Sequence, residues 1–255
     1  MHSILHSTYR LIRRPGTAAL KVHRLHFQLT PAELEALRIS LSVALRSVLC
    51  SLPFAIAIAW LLTRRRFPGR LLLDTLVHLP MVLPPVMIGF VLLLLLGVNG
   101  IVGSWLFRHL GVRLAFSTNG AALATAVMVF PLMVRAIRLA LDNVDPGLEE
   151  AARTLGAGAW DRFASITVPL MAPGILAGAV TAFAASLGEF GAVITFAGNI
   201  PGVTRTLPLA LYSALQTPEG EAAALRIAVL SLLLGAAGLL ASELLARALR
   251  RRMGR

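Results

Sequence analysis

Glu150-Ala151-Ala152-Arg153-Thr154-Leu155-Gly156, followed after nine residues by Ile166-Thr167-Val168-Pro169, is a short stretch of small and polar residues lodged between two long apolar runs. Hydrocarbon cannot host it, because its charges and backbone groups would be left without partners. It must lie in water or against another protein. Upstream, Asp145-Pro146 reads as a helix start, Glu149 and Glu150 suit the positive end of that helix, and Gly156 reads as its stop. Ala151, Ala152 and Leu155 give the helix a small, apolar face, and Trp160 and Phe163 put two aromatics into a loop that should be polar. Small residues admit a partner closely, and exposed aromatics anchor interfaces. A hairpin resting on the bilayer surface would show the same pattern.

The rest of the chain is far more apolar than this loop. Hydrophobic residues make up 57% of 255 residues, charged residues only 14%, and the mean hydropathy is +0.78. A soluble domain carries about 25% charged residues. Runs of about 20 apolar residues, the length that crosses hydrocarbon, lie at about 39–62, 76–98, 120–141, 168–187 and 222–241. Backbone in lipid must satisfy itself within each segment, so the fold class is an all-α polytopic membrane protein of about five transmembrane helices. Pro53, Pro80, Pro84, Pro85 and Pro131 are then kinks that a bundle tolerates. The single cysteine, Cys50, is expected to pack in the core, and no Cys/His spacing suggests a metal.

The net charge of +12 does not mark a nucleic-acid binder. Its arginines gather at the ends of apolar runs: Arg64, Arg65, Arg66 and Arg70 after the first, and Arg247, Arg250, Arg251, Arg252 and Arg255 after the last. That distribution places the 63–75 loop, the 142–167 loop and the C-terminus in the cytoplasm. Arg135 and Arg138 can snorkel to the same surface. The segment 1–28 carries five positive charges on the opposite side and disobeys the rule. It is expected to be a peripheral or non-native extension that transport does not need. The folded part is expected to begin near Leu29, where Thr30, Pro31 and Glu33 form a helix-start signal.

Two further segments are candidates for a pathway or gate. Gly188-Glu189-Phe190-Gly191, running on to Asn199, sets a carboxylate between two glycines beyond an apolar run. Such a residue faces a bundle interior or a water-filled path, or it pairs with an arginine and only holds the bundle together. Arg46 is one possible partner for Glu189; it can equally snorkel outward. The second segment is His78-Leu79-Pro80 with Leu83-Pro84-Pro85-Val86. Pro84 and Pro85 either unwind the second helix and bare carbonyls along a path, or simply kink it.

The pattern E-A-A, three residues, G, nine residues, I-x-V-P resembles the coupling loop of ABC importer permeases, and residues 29–255 together resemble the molybdate permease family. The match runs through Arg66-Phe67-Pro68-Gly69-Arg70, Phe130–Arg138, Gly188–Ala192 and Asn199–Gly202 to Thr204–Pro208 and Gln216-Thr217-Pro218. Gly188–Pro201 is shared with sulfate permeases, whereas Thr204–Pro218 and the five-span core look more like molybdate. The resemblance implies a type I importer fold with 29–255 as the transmembrane domain and 142–169 as its coupling loop. It implies that Glu150, Ala151, Ala152, Gly156, Ile166 and Pro169 engage an ATPase subunit. The expected partners are a second copy of the chain, a cytoplasmic ABC ATPase dimer, a periplasmic oxyanion-binding protein and the inner-membrane bilayer. The chain contains no G-x-x-x-x-G-K-S/T, so ATP and magnesium are expected on the ATPase and no cofactor on this chain. Importers of sulfate or tungstate remain alternatives. An intramembrane enzyme using Glu189 would need an acid–base or metal partner, and neither H-E-x-x-H nor G-x-S-x-G occurs. A passive anion channel would have no use for the loop.

Overall fold

The computed structural model describes residues 29–252, so the expectations for the basic segment 1–28 lie outside the described residues. Those described form helices α1 (Pro31–Arg64), α2 (Arg70–His78), α3 (Pro85–Leu96), α4 (Ile101–Leu110), α5 (Thr118–Asp142), α6 (Pro146–Thr154), α7 (Ala159–Arg162), α8 (Val168–Leu187), α9 (Gly191–Phe196), α10 (Leu207–Leu215) and α11 (Glu221–Arg252). No strand occurs among the described residues. Among the described residues, four helical stretches are long and apolar enough to cross a membrane: Pro31–Arg64, Thr118–Asp142, Ala159–Leu187, in which a π-helical segment at Phe163–Thr167 joins α7 to α8, and Glu221–Leu245.

The expected second span, 76–98, is not one helix. It is a pair, Arg70–Met81 and Pro85–Leu96, bent by 114°. Pro84 and Pro85 explain the break, since a proline forces the residue before it out of the helical region and lacks an N–H. Pro84 is extended (ψ 133°), and α3 restarts with Pro85 at its first position. Pro53 and Pro131 instead stay inside continuous helices, α1 and α5.

Helix α1 starts as its sequence predicts. Thr30 Oγ1 accepts from the Glu33 N–H, and Glu33 returns the bond to the Thr30 N–H. Glu33 also takes two hydrogen bonds from Arg226 near the start of α11, at 3.0 and 2.9 Å. The starts of α1 and α11 therefore share one end of the bundle. Arg46 of α1 reaches Asn119 at the start of α5, and Arg64 at the end of α1 reaches Glu149 just beyond α5. Thus α1 and α5 run side by side in the same direction, α8 sits against both, and α11 packs on α8 and α10.

The core lies between α1, α5 and α8, where Leu62, Met133, Ile137, Leu141 and Met171 are fully buried. Helices in lipid gain no hydrophobic drive from meeting each other, so close packing must hold them together. Gly174 and Gly178 of α8 face Ala140 and Ala136 of α5. A Cβ at Gly174 would stand 2.2 Å from the Ala140 Cβ, and one at Gly178 would stand 2.9 Å from the Ala136 Cβ. This small-residue contact was not read from the sequence, although its four-residue spacing was there to find. Short helix α9 is wedged between α3 and α5 by the same device: a Cβ at Gly89 would lie 2.6 Å from the Ala192 carbonyl oxygen, and one at Gly191 would lie 2.7 Å from the Pro85 Cβ.

Candidate functional site

The loop between α5 and α8 folds as a helix held by its first turn. Asp145 caps α6 by accepting from the Gly147 N–H at 2.8 Å, with Pro146 at the first helical position. Gly156 ends the helix in a left-handed conformation (φ 87°), which glycine adopts without strain. Glu149 Oε1 accepts from Arg64 Nη2 at 3.1 Å and from Thr167 Oγ1 at 2.8 Å. One carboxylate thus ties α6 both to the end of α1 and to the residue before α8. Thr167 is buried, at 2% exposure, so it has no water to fall back on. In the sequence Glu149 is only a favourable charge near a helix start; its partners, 85 and 18 residues away, leave no local signal.

The rest of the loop faces outward. Glu150 pairs with Arg153 at 3.3 Å, with both side chains largely exposed. An exposed pair of this kind adds little to stability. Ala151, Leu155 and Gly156 are exposed, Ala152 and Ile166 are half-buried, and Pro169 is exposed. Leu155, at 89% exposure, and Trp160, at 79%, are large apolar side chains left uncovered beside these small residues. Trp160 stacks on Phe163 at 5.6 Å, and Phe163 meets Trp60 of α1 edge-on at 6.2 Å. Phe163 is therefore a wall against α1, and Trp160 is the outward aromatic of the pair. The six residues expected to engage a partner are gathered around one end of the bundle by the Glu149 tether.

A family model of binding-protein-dependent transport system inner membrane components matches residues 51–251. The molybdenum transport system permease protein ModB of Escherichia coli is 57% identical over 227 residues, covering 89% of this chain and 99% of the relative. Its Haemophilus influenzae counterpart is 51% identical over 222 residues, covering 87% of this chain and 97% of the relative. The chain belongs to the molybdenum permease family of these inner-membrane components. The E. coli sulfate transport system permease protein CysT is more distant, 39% identical over 210 residues, covering 82% of this chain and 74% of the relative. A bacterial alginate ABC transporter, solved in complex with an alginate pentasaccharide-bound periplasmic protein, shares the fold: TM-score 0.68, 18% identity, covering 98% of this chain and 92% of the transporter chain.

In this permease the other candidate segment splits into several jobs. Glu189 pairs with no arginine among the described residues. Its Oε1 accepts from the Ala192 N–H at 2.9 Å and so caps α9. Arg46 is engaged elsewhere, donating to Asn119 Oδ1 at 2.9 Å. Phe190 packs on Tyr212 of α10 at 5.3 Å. Asn199 donates to Ser213 and accepts from Arg205 at 2.8 and 2.9 Å, stitching the loop between α9 and α10. Gly188 is exposed, while Gly191 is buried against Pro85, so Gly191 and Pro85 meet at the α3–α9 contact. Pro84 and Pro85 are otherwise uncovered.

Two more expectations need revision. Cys50 is not packed in the core but exposed, on the wall of a cavity of about 440 Å³. Arg138 does not simply reach for a surface: it donates to Asp74 Oδ1 at 2.7 Å, and Asp74 also holds His78 at 3.2 Å. Arg135 remains exposed beside them, in a polar cavity of about 510 Å³.

Proposed function

We propose that this chain is the membrane-spanning subunit of an ATP-driven molybdate importer, and that it forms the oxyanion pathway as one of two copies. The observation that supports this most is α6, a helix tethered to two membrane helices by Glu149 yet leaving Ala151 and, at its end, Leu155 and Gly156 exposed. In the proposed complex the Arg64 end is cytoplasmic, as is the C-terminus, and α6 sits in a cleft of an ABC ATPase. Closing of the ATPase dimer by ATP pulls α6, and Glu149 passes that movement to α1 and α8. The bundle opens outward, a periplasmic binding protein releases its oxyanion into the cavity, and hydrolysis resets the arrangement. Hydrolysis, with its ATP and magnesium, belongs to the ATPase. The 57% identity to a molybdenum permease along nearly its whole length, against 39% to a sulfate permease, favours molybdate.

The test is uptake of radiolabelled molybdate by cells that lack their own molybdate permease and express this chain with its cognate ATPase and binding protein. Uptake is expected to return, to be inhibited by tungstate, and to survive a large excess of sulfate. Equal inhibition by sulfate would move the reading to a sulfate importer. Absence of any uptake with all three subunits present would overturn it.

A further inference from the structure

Helix α5 is the most enclosed of the candidate spans, yet one side of its outer half is only partly covered. Asn119, Leu123 and Val127 follow one another there at four-residue steps, with Phe130 beneath. The facing side of α1 repeats the pattern in register: Arg46, Cys50 and Phe54, also at four-residue steps. Four-residue steps place side chains one above another on a helix. Arg46 and Asn119 are joined at the top by their 2.9 Å hydrogen bond. Below them Cys50, Phe54, Leu123, Val127 and Phe130 line the cavity of about 440 Å³, together with Pro80 and Val77. The result is an apolar cleft, with Arg46 one helical turn beyond its lining at Cys50.

That cation is not neutralised. Arg46 is exposed, and its described partner is the amide oxygen of Asn119, which carries no charge. By helix rise it stands about 27 Å from Arg64 and about 10 Å inside the start of the apolar run near residue 39, so it lies in the outer part of a hydrocarbon layer about 30 Å thick. Cys50 sits one turn deeper, within that layer. An arginine here has two uses. It can serve a lipid headgroup, in which case the stripe below it faces acyl chains. It can also serve an anion arriving from water, in which case the stripe lines a path. The hydrogen bond to Asn119 favours the second use, since it draws the guanidinium from α1 across to α5, the helix whose stripe lines the other side of the cleft. A planar guanidinium fixed by a neutral amide keeps N–H donors free for tetrahedral oxyanion oxygens.

We infer that Arg46, positioned by Asn119, is the outer receiving site for the oxyanion, and that Cys50 and Phe54 line the cleft into which the oxyanion passes. This rests on the transport reading above and adds a site to it. The apolar wall beneath supplies no compensation for a bare anion, so the cleft holds the oxyanion at Arg46 until the bundle opens.

Cys50 is the only cysteine in the chain, so the native protein carries its own probe. The complete transporter, in cells supplied with molybdate, is treated with two membrane-impermeant methanethiosulfonates, one bearing a sulfonate and one a trimethylammonium group. Labelling is read on the chain itself against Cys50→Ser. Both reagents are expected to reach Cys50, the anionic one faster, and excess molybdate is expected to slow both. Arg46→Gln is expected to lower the ratio of anionic to cationic labelling rates roughly tenfold, the low end of electrostatic focusing in a charged cleft. Labelling by lipid-soluble N-ethylmaleimide alone, with both charged reagents excluded, would place the stripe against lipid and overturn the inference. So would an unchanged rate ratio in Arg46→Gln. Failure of the transport reading shows separately, as absent molybdate uptake, because accessibility of Cys50 to charged reagents does not depend on which anion is carried.

Discussion

Gly174→Leu is expected to remove most of the folded chain from the membrane. A Cβ at this position would lie 2.2 Å from the Ala140 Cβ, and both backbones belong to long helices that cannot yield locally. Overpacking of this kind costs about 1–3 kcal/mol and often more, and the α5–α8 contact is part of the central core. The measurement is the yield of monodisperse protein after extraction in a mild detergent. A size exchange sharpens it. Gly174→Ala should lower the yield, and Gly174→Ala combined with Ala140→Gly should recover most of the loss. Full yield of Gly174→Leu would show that the two helices do not meet as described.

Glu149→Ala is expected to leave the chain inserted and folded but to reduce molybdate uptake at least tenfold. Removing the carboxylate deprives Arg64 of its ion partner and the buried Thr167 hydroxyl of its short acceptor. Hydrogen bonds to charged groups are worth about 1.5–3 kcal/mol, and partial exposure of the Arg64 pair lowers its share. That loss is small against the stability of the whole bundle and large against the positioning of a nine-residue helix. Glu149→Gln should fall between the two, since an amide oxygen can still accept from Thr167. Uptake and chain abundance measured together decide the matter: normal uptake at normal abundance in Glu149→Ala would mean that the tether transmits nothing.

The parts of the fold written in local pattern were legible in the sequence. The apolar runs 39–62, 120–141 and 168–187 fall within α1, α5 and α8, because a span announces itself by length and hydropathy alone. Thr30, Asp145 and Gly156 do at the helix ends what their residue types suit them to do. Helices α4, α9 and α10 were missed, since 10, 6 and 9 residues are too short to stand out from apolar surroundings. Glu189, three residues before the N–H it accepts from, was a capping signal for α9 that its apolar setting disguised as a buried charge. Cys50 was misplaced for a deeper reason. In a membrane protein an apolar side chain can face core, lipid or a cleft, and hydropathy does not separate the three. The Arg46–Asn119 and Arg64–Glu149 contacts join residues 73 and 85 positions apart, so they exist only once the bundle has formed.

The central claim is that ATP hydrolysis by a partner drives molybdate through this chain by way of α6. It is tested most directly in proteoliposomes containing this chain, its cognate ATPase and its cognate binding protein, with ATP hydrolysis and accumulation of radiolabelled molybdate followed in the same sample. Accumulation is expected to require ATP and all three proteins, and to be lost in Glu149→Ala while this chain remains present in the vesicles. Molybdate accumulation that proceeds without ATP, or that is unaffected by Glu149→Ala, would contradict the account.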